Sequence, residues 1–287
     1  MAEPVVLVQE PAVVAQDVYL EYPPPRRIRA LDGVSARFNV GAFVAIVGQN
    51  GSGKTSLARC ISGFLKPTRG RVLIGNLDVQ KLHAATRARH VGYVFQNPDH
   101  QLFKESVWDD VAFGLRNLRL PSDQIDERVE TTLRRLDLWA QRDRHPFRLS
   151  KGDRQRLAIA AIIVMRPRVL IVDEPTTGQD PARSREIMDL LTELNADGTT
   201  VVVITHVMEL VAEYARQVLV LHAGRLLIEG TPREVFAQPE LLAVSRVSPP
   251  PVTRVALELG LAPLPITIAE TREIILHRLA TVRVPPR

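Results

Sequence analysis

The stretch Gly48-Gln49-Asn50-Gly51-Ser52-Gly53-Lys54-Thr55 gathers glycines, a lysine and two hydroxyls into one short run. Glycines at this spacing let backbone N–H groups turn inward around phosphate oxygens, and a following helix N-terminus adds partial positive charge. Lys54 then reaches the outer phosphates, and the Thr55 hydroxyl supplies a hard oxygen to Mg²⁺. A chance glycine turn is the competing reading. The full G-x-x-x-x-G-K-[ST] spacing, with an apolar strand before it and a helix after, argues against that.

The second group is Val169-Leu170-Ile171-Val172-Asp173-Glu174. An apolar strand ending in two carboxylates puts both at the C-terminal edge of a sheet, where α/β ligand sites form. Asp173 is expected to hold Mg²⁺ through water, and Glu174 to orient and deprotonate an attacking water. Acids often decorate strand ends without purpose, but a phosphate loop needs such a partner. Together the two groups resemble the nucleotide site of P-loop NTPases.

Further residues narrow the resemblance. Leu149-Ser150-Lys151-Gly152-Asp153, followed by Arg154-Gln155-Arg156, is similar to the LSGGQ signature of ABC ATPases and precedes Asp173 as in that family. Gln96, after the strand Val91 to Phe95, resembles the Q-loop glutamine that touches metal and water. Asp180, in Thr176-Thr177-Gly178-Gln179-Asp180-Pro181, resembles the D-loop. His206, after Val201 to Thr205, resembles the switch histidine, and Tyr22 the aromatic that stacks on adenine. A lone histidine or tyrosine is more often structural; the shared order and spacing carry the identification as a member of the ABC ATPases.

That resemblance implies an α/β P-loop NTPase core of the RecA-like kind, with an inserted helical subdomain and a small C-terminal extension. It implies ATP and Mg²⁺ as ligands, and two ATPase subunits, identical or paralogous, sandwiching ATP head to tail. Ser150 and Gly152 are then expected to face the γ-phosphate held by the opposite subunit. Two signature positions depart from the pattern. Lys151 replaces a glycine, and either adds charge near phosphate or points into solvent. Asp153 replaces a glutamine, and either repels ATP or is neutralised by Arg154 or Arg156.

Gln96-Asn97-Pro98-Asp99-His100-Gln101-Leu102-Phe103 resembles the segment after the Q-loop in ATPases of energy-coupling factor (ECF) transporters, and Glu105 to Gly114 continues it. In that family the region lines a groove for coupling helices of a membrane scaffold subunit, beside a substrate-binding membrane subunit. The implied role is to power uptake of a vitamin or a transition-metal ion from the cytoplasmic face of the membrane. Leu102 and Phe103 can equally be read as helical-subdomain core. The other readings are an ATPase for another importer, or a soluble ABC protein acting on ribosomes or DNA. A single cassette without a long coiled-coil insertion argues against the latter.

Positioning these residues requires alternating strands and helices. Strands are expected near Val13 to Phe38 (broken by Pro23-Pro24-Pro25), Phe43 to Val47, Arg71 to Ile74, Val91 to Phe95, Val169 to Val172 and Val201 to Thr205, with a hairpin over Val218 to Glu229. Helices are expected over Lys54 to Gly63, Arg154 to Met165, about Arg183 to Asn195 and through Val211. The alternation implies crossover units and a mainly parallel sheet. Residues 13–245 form the expected ATPase domain, with a helical subdomain over about 97–164. Ser248-Pro249-Pro250-Pro251 reads as a linker to a 246–287 extension that resembles the ECF tail holding two ATPases together.

Composition sets the outer limits. The net charge is +5 with scattered basic residues, and aromatics are 5%, which disfavours a nucleic-acid partner. Arg26-Arg27 and Arg134-Arg135 read as solvated faces. Cys60 is the single cysteine, which excludes an intrachain disulfide and fits a cytosolic setting. Met1 to Gln9 carries no basic region of a signal peptide. No apolar run approaches the roughly 20 residues of a membrane span, so a membrane role is expected to act through partners.

Overall fold

The computed structural model describes residues 11–25 and 27–281. The reading of Met1 to Gln9, Arg26 of the first arginine pair, and the end of the extension beyond 281 lie outside the described residues. The chain opens with β1 (Pro11–Glu21), β2 (Arg29–Asn39) and β3 (Phe43–Val47), then α1 (Lys54–Ile61), β4 (Arg69–Ile74), β5 (Leu77–Asp78), α2 (Ala84–His90) and β6 (Val91–Val94). Three helices follow: α3 (Val107–Asn117), α4 (Ser122–Arg135) and α5 (Lys151–Ile163). The alternation resumes with β7 (Val169–Asp173), α6 (Pro181–Ala196), β8 (Thr200–Ile204), α7 (Met208–Tyr214), β9 (Gln217–His222) and β10 (Arg225–Gly230). Short helices α8 (Pro232–Phe236) and α9 (Pro239–Val244) lead to α10 (Pro251–Glu258) and α11 (Ile268–Thr281).

The main sheet has the order β10-β9-β3-β8-β7-β6. It is parallel from β9 to β6, with β10 as an antiparallel edge. Every residue of β3, β7 and β8 is buried. Side chains alternate across a strand, so β7 and β8 each serve two cores, while Ala45 and Val47 of β3 join a third one with α7 and α8. Phe43, Leu170, Val172, Val201 and Val203 face one core, shared with α3 to α6. Val44, Ile46, Ile171, Val202 and Ile204 face the second, shared with α1. The three-helix segment therefore has no separate core; its Leu115, Leu133 and Leu157 join the first one.

One departure from the expected crossover layout is a second, antiparallel sheet of order β2-β1-β4-β5. It covers α1 and closes the second core. Alternating burial along β1 and β2 marks sheets with one face packed. The strand read at Arg71 to Ile74 belongs to it as β4.

Two helices begin earlier than the apolar periodicity indicates. Ser150 caps α5, its Oγ accepting from the Asp153 N–H at 3.2 Å. Asp180 caps α6, accepting from the Arg183 N–H at 2.9 Å. Capping residues are polar and fall outside the periodic pattern, although S-x-x-D is itself a start signal. No helix among the described residues is long and apolar enough to cross a membrane.

Candidate functional site

The phosphate loop is the connection between β3 and α1. Gly48 has φ +144°, and a Cβ there would run into the Leu221 carbonyl and the Ser52 hydroxyl. Gly53 has φ +106°, with a Cβ position 2.6 Å from the Ala30 carbonyl oxygen. Only glycine allows these turns in this packing. Lys54 folds back over the loop, its Nζ donating to the carbonyls of Gly48 (2.8 Å) and Gln49 (2.9 Å). Burial lowers its pKa, while the carboxylates of Glu174 and Asp173 pull it back up. The Ser52 hydroxyl is buried without a hydrogen-bond partner among the described residues. An anion in the loop supplies what that donor lacks.

Asp173 ends β7, directly across from α1. Burial raises its pKa, and hydrogen bonds from the Tyr93 and Thr55 hydroxyls oppose that. The Tyr93 hydroxyl donates to Oδ2 at 2.7 Å. The Thr55 hydroxyl and Asp173 carboxylate thus form adjacent hard oxygen donors, which suit Mg²⁺. No cluster of three or more His, Cys, Asp or Glu residues among the described residues could hold a metal alone. A cation held here would need further ligands, such as phosphate or water.

Glu174 follows immediately, at φ +46°. A left-handed glutamate is a strained backbone, of the kind that collects at functional sites at a cost of about 1–3 kcal/mol. Its N–H donates to the Ile204 carbonyl at 2.9 Å, and three side chains converge on its Oε2. Gln96 Nε2 donates at 3.0 Å and Thr177 Oγ1 at 2.8 Å, while His206 Nδ1 lies 3.5 Å away. Gln96 therefore reaches Glu174, and lines the same cleft as Thr55.

A cleft of about 800 Å³ includes Tyr22, Lys54, Thr55, Gln96 and Glu174 in its lining. The Tyr22 hydroxyl lies 3.2 Å from Ser56 Oγ at the start of α1. A second cavity of about 760 Å³ adjoins it on the other side of Glu174, lined by Gln49, Asn50 and His206 and by Arg246 and Arg254 of the C-terminal segment. Ser150, Gly152 and Asp180 line neither. They sit together elsewhere: a Cβ on Gly152 would lie 3.7 Å from the Gln179 side chain.

The two departures in the signature are now explicit. Asp153 is neutralised by Arg156 at 2.6 Å, not by Arg154, which pairs with Asp99 at 2.8 Å. The Ser150 hydroxyl donates to Asp153 Oδ2 at 2.7 Å. Lys151 is exposed to solvent, with its ammonium over Gly178. Leu102 and Phe103 divide between the two readings. Leu102 is 3% exposed and belongs to the core, whereas Phe103 is 59% exposed. Phe103 packs edge-on against Phe113 at 4.9 Å, with the Lys104 ammonium over both rings.

Tyr93 and Thr177 belong to the site through Asp173 and Glu174, a role the sequence motifs do not assign them. Tyr93 was the most findable, because a tyrosine inside a buried apolar strand needs a partner for its hydroxyl.

A parallel sheet with a phosphate loop at one strand end and two carboxylates at a nearby one is the nucleotide-binding core of a P-loop NTPase. The chain belongs to the ABC transporter family, whose model matches residues 31–177. It is 48% identical over 213 residues to an energy-coupling factor transporter ATP-binding protein of Symbiobacterium thermophilum, covering 73% of this chain and 74% of that one. It is 44% identical over 229 residues to an ABC transporter ATP-binding protein of Methanosarcina mazei, covering 80% of this chain but 39% of the other, so it spans about two fifths of that longer relative. Among solved structures it is similar to cbiO1 of Clostridium perfringens, part of the ABC transporter complex cbiONQ, at a TM-score of 0.73 and 34% identity, covering 94% of this chain and 100% of that one. The family binds and hydrolyses ATP, and the chain is closely related to ECF transporter ATPases.

Proposed function

We propose that this protein hydrolyses ATP to power an ECF-type importer, taking up a vitamin or a transition-metal ion through membrane subunits that it docks against peripherally. The observation that carries the ATPase reading is the convergence of Gln96, Thr177 and His206 on the Glu174 carboxylate beside the phosphate loop. Glu174 is the general base; Gln96 and His206 orient it and the water. Lys54, Ser52 and the loop N–H groups hold the β- and γ-phosphates, and Tyr22 stacks on the adenine. Thr55 and Asp173 hold Mg²⁺, which neutralises charge on the phosphates. Phosphoryl transfer depends chiefly on such positioning and charge neutralisation.

Ser150 and Gly152 do not line the cleft of their own chain, which supports their serving the ATP of a second ATPase subunit, identical or paralogous. The Ser150 hydroxyl and the free N–H groups at the start of α5 then meet its γ-phosphate. Residues 13–245 act as the ATPase domain, with the helices of about 97–164 as its membrane-facing part. The exposed Phe103, packed on the half-buried Phe113, supports docking of a scaffold helix. The 246–287 extension presents Val255, Leu259, Leu276 and Leu279 to solvent, which supports a contact with the second ATPase.

The deciding experiment mixes two variants. Ser150→Arg is expected to block the signature in trans, and Lys54→Ala to disable the loop. In a mixed dimer one composite site carries both lesions and the other neither. Partial recovery of ATPase activity over either variant alone supports the composite site. Absence of recovery in dimers proven to be mixed rejects two independently active composite sites.

A further inference from the structure

Residues 96–104 touch three places at once. At one end Gln96 bonds Glu174 at 3.0 Å. At the other, the Phe103 and Lys104 N–H groups both donate to Asp110 Oδ1 at 3.2 Å, holding Phe103 at the surface. In the middle the segment is fastened to α5. Gln101 accepts from the Phe95 N–H at 3.3 Å through Oε1 and donates to the Ala158 carbonyl at 2.6 Å through Nε2. Asp99 is fixed by a turn in which its N–H donates to Asn97 Oδ1 at 3.1 Å. Its carboxylate then forms the ion pair with Arg154 Nε.

Arg154 is the notable end of this chain. Its Nη1 also donates to the Leu149 carbonyl at 2.9 Å, and Leu149 immediately precedes Ser150. One guanidinium therefore bridges the carboxylate of the turn and the backbone that sets the signature serine. Its side chain is 21% exposed and that of Asp99 39%, so the pair is partly shielded from solvent. The contact with Asp99 is an ion pair without hydrogen-bond geometry at Nε, so it fixes distance, while the Nη1 hydrogen bond to Leu149 fixes direction.

We propose that Asp99 and Arg154 are positioning residues that fix the signature helix relative to the Gln96–Phe103 segment, so that a push on Phe103 shifts Ser150. This rests on the proposed role of Ser150 at a second subunit's ATP. The pair touches no nucleotide itself. It sets where Ser150 stands when the subunits close.

The test uses the full chain. Hydrogen–deuterium exchange of the amides of residues 150–154 is compared between the parent and Asp99→Asn. Exchange there is expected to rise about tenfold, with the rest of the chain and the melting temperature unchanged. Unaltered exchange at 150–154 overturns the proposal. The functional arm measures the ATP concentration for half-maximal dimerisation in a Glu174→Gln background. Asp99→Asn and Arg154→Gln should each raise it about tenfold, and the double variant no further, because the two act as one unit. Additive effects, or none, overturn the positioning role. ATP binding by the isolated chain should stay within about twofold throughout. If Arg154→Gln folds poorly, Asp99→Asn on its exposed turn decides alone. A Glu174→Gln parent that never dimerises on ATP counts against the composite site instead, and the exchange result still decides the position of Ser150.

Discussion

The Tyr93 hydroxyl and the Asp173 carboxylate meet at 2.7 Å in the buried space between β6 and β7. Burial raises the pKa of both groups, so each is costly to leave unpaired. The tyrosine holds one carboxylate oxygen, and the Thr55 hydroxyl also bonds the group. Tyr93→Phe removes the first contact and leaves the second. Losing a hydrogen bond that orients a metal ligand typically weakens metal affinity about 10–100-fold. The Mg²⁺ concentration for half-maximal ATP hydrolysis should rise by about tenfold, with little change at saturating Mg²⁺. An unchanged Mg²⁺ dependence removes Tyr93 from that role.

Glu174 gathers its three partners on one oxygen, Oε2. Glu174→Gln retains the size and one acceptor but not the base. ATP binding should persist while hydrolysis falls by roughly 10²–10⁴-fold. Closed ATP-loaded dimers should accumulate, as size-exclusion chromatography will show. Turnover near the parent rate excludes Glu174 as the base.

How much of this was legible in the sequence varied with the kind of interaction. The loop and the two carboxylates were, because strand, turn and helix fix their relative positions within a few residues. The burial of β3, β7 and β8 on both faces was also present as nearly uninterrupted apolar runs. The contacts of Tyr93 and Thr177 were not, and the choice between Arg154 and Arg156 as partner of Asp153 stayed open, since each contact depends on strand order or rotamer. Tyr93 and Asp173 are neighbours only because β6 pairs with β7. The antiparallel sheet was hidden for a similar reason: β4 reads like a crossover strand until its pairing with β1 is seen. Leu102 and Phe103 are adjacent and both apolar, so composition could not tell core from surface.

Asp153 places a carboxylate beside Ser150, where the family pattern has a glutamine. Its ion pair with Arg156 leaves only a modest residual field, because side-chain exposures of 21% and 19% still admit solvent. Partly exposed charges of this kind act at about 0.2–1 kcal/mol. Asp153→Gln should therefore lower the ATP concentration needed for dimerisation by up to about fivefold. Arg156→Gln should do the reverse, by freeing the negative charge and the competing acceptor of Ser150. Shifts of the same sign in both variants would contradict this account.

Asp110 is buried in α3, and desolvation raises its pKa although two backbone N–H groups and Lys104 oppose it. A carboxyl group with a raised folded pKa binds protons more tightly when folded. Stability relative to a neutral side chain is thus full below the ordinary carboxylate pKa, falls as pH rises through the window up to the folded value, and then levels off. Asp110→Asn keeps an acceptor for the Phe103 and Lys104 N–H groups without the charge. Denaturant titrations should show it equal to the parent at pH about 3.5 and more stable at pH 7. The opposite order at pH 7 would mean that the charge is better compensated than its surroundings indicate.

Leu102 and Phe103 differ in fate, and that difference separates folding from docking. Leu102 joins Val107, Val111 and Leu157 in the core, while the exposed Phe103 packs on the half-buried Phe113 under the Lys104 ammonium. Leu102→Glu places an unpaired charge in that core, which costs several kcal/mol and should unfold or aggregate the protein. On the proposed docking, Phe103→Glu removes apolar burial from that interface, worth roughly 1.5–3 kcal/mol, or about tenfold or more in affinity. The latter variant should fold with the parent melting temperature, bind ATP and hydrolyse it in solution. It should fail to co-purify with a membrane subunit and fail to support uptake by cells carrying the complete transporter. A Phe103→Glu protein that melts early would mean that Phe103 supports the fold despite its exposure. One that folds, assembles and transports normally would rule out the Phe103–Phe113 pair as the docking contact.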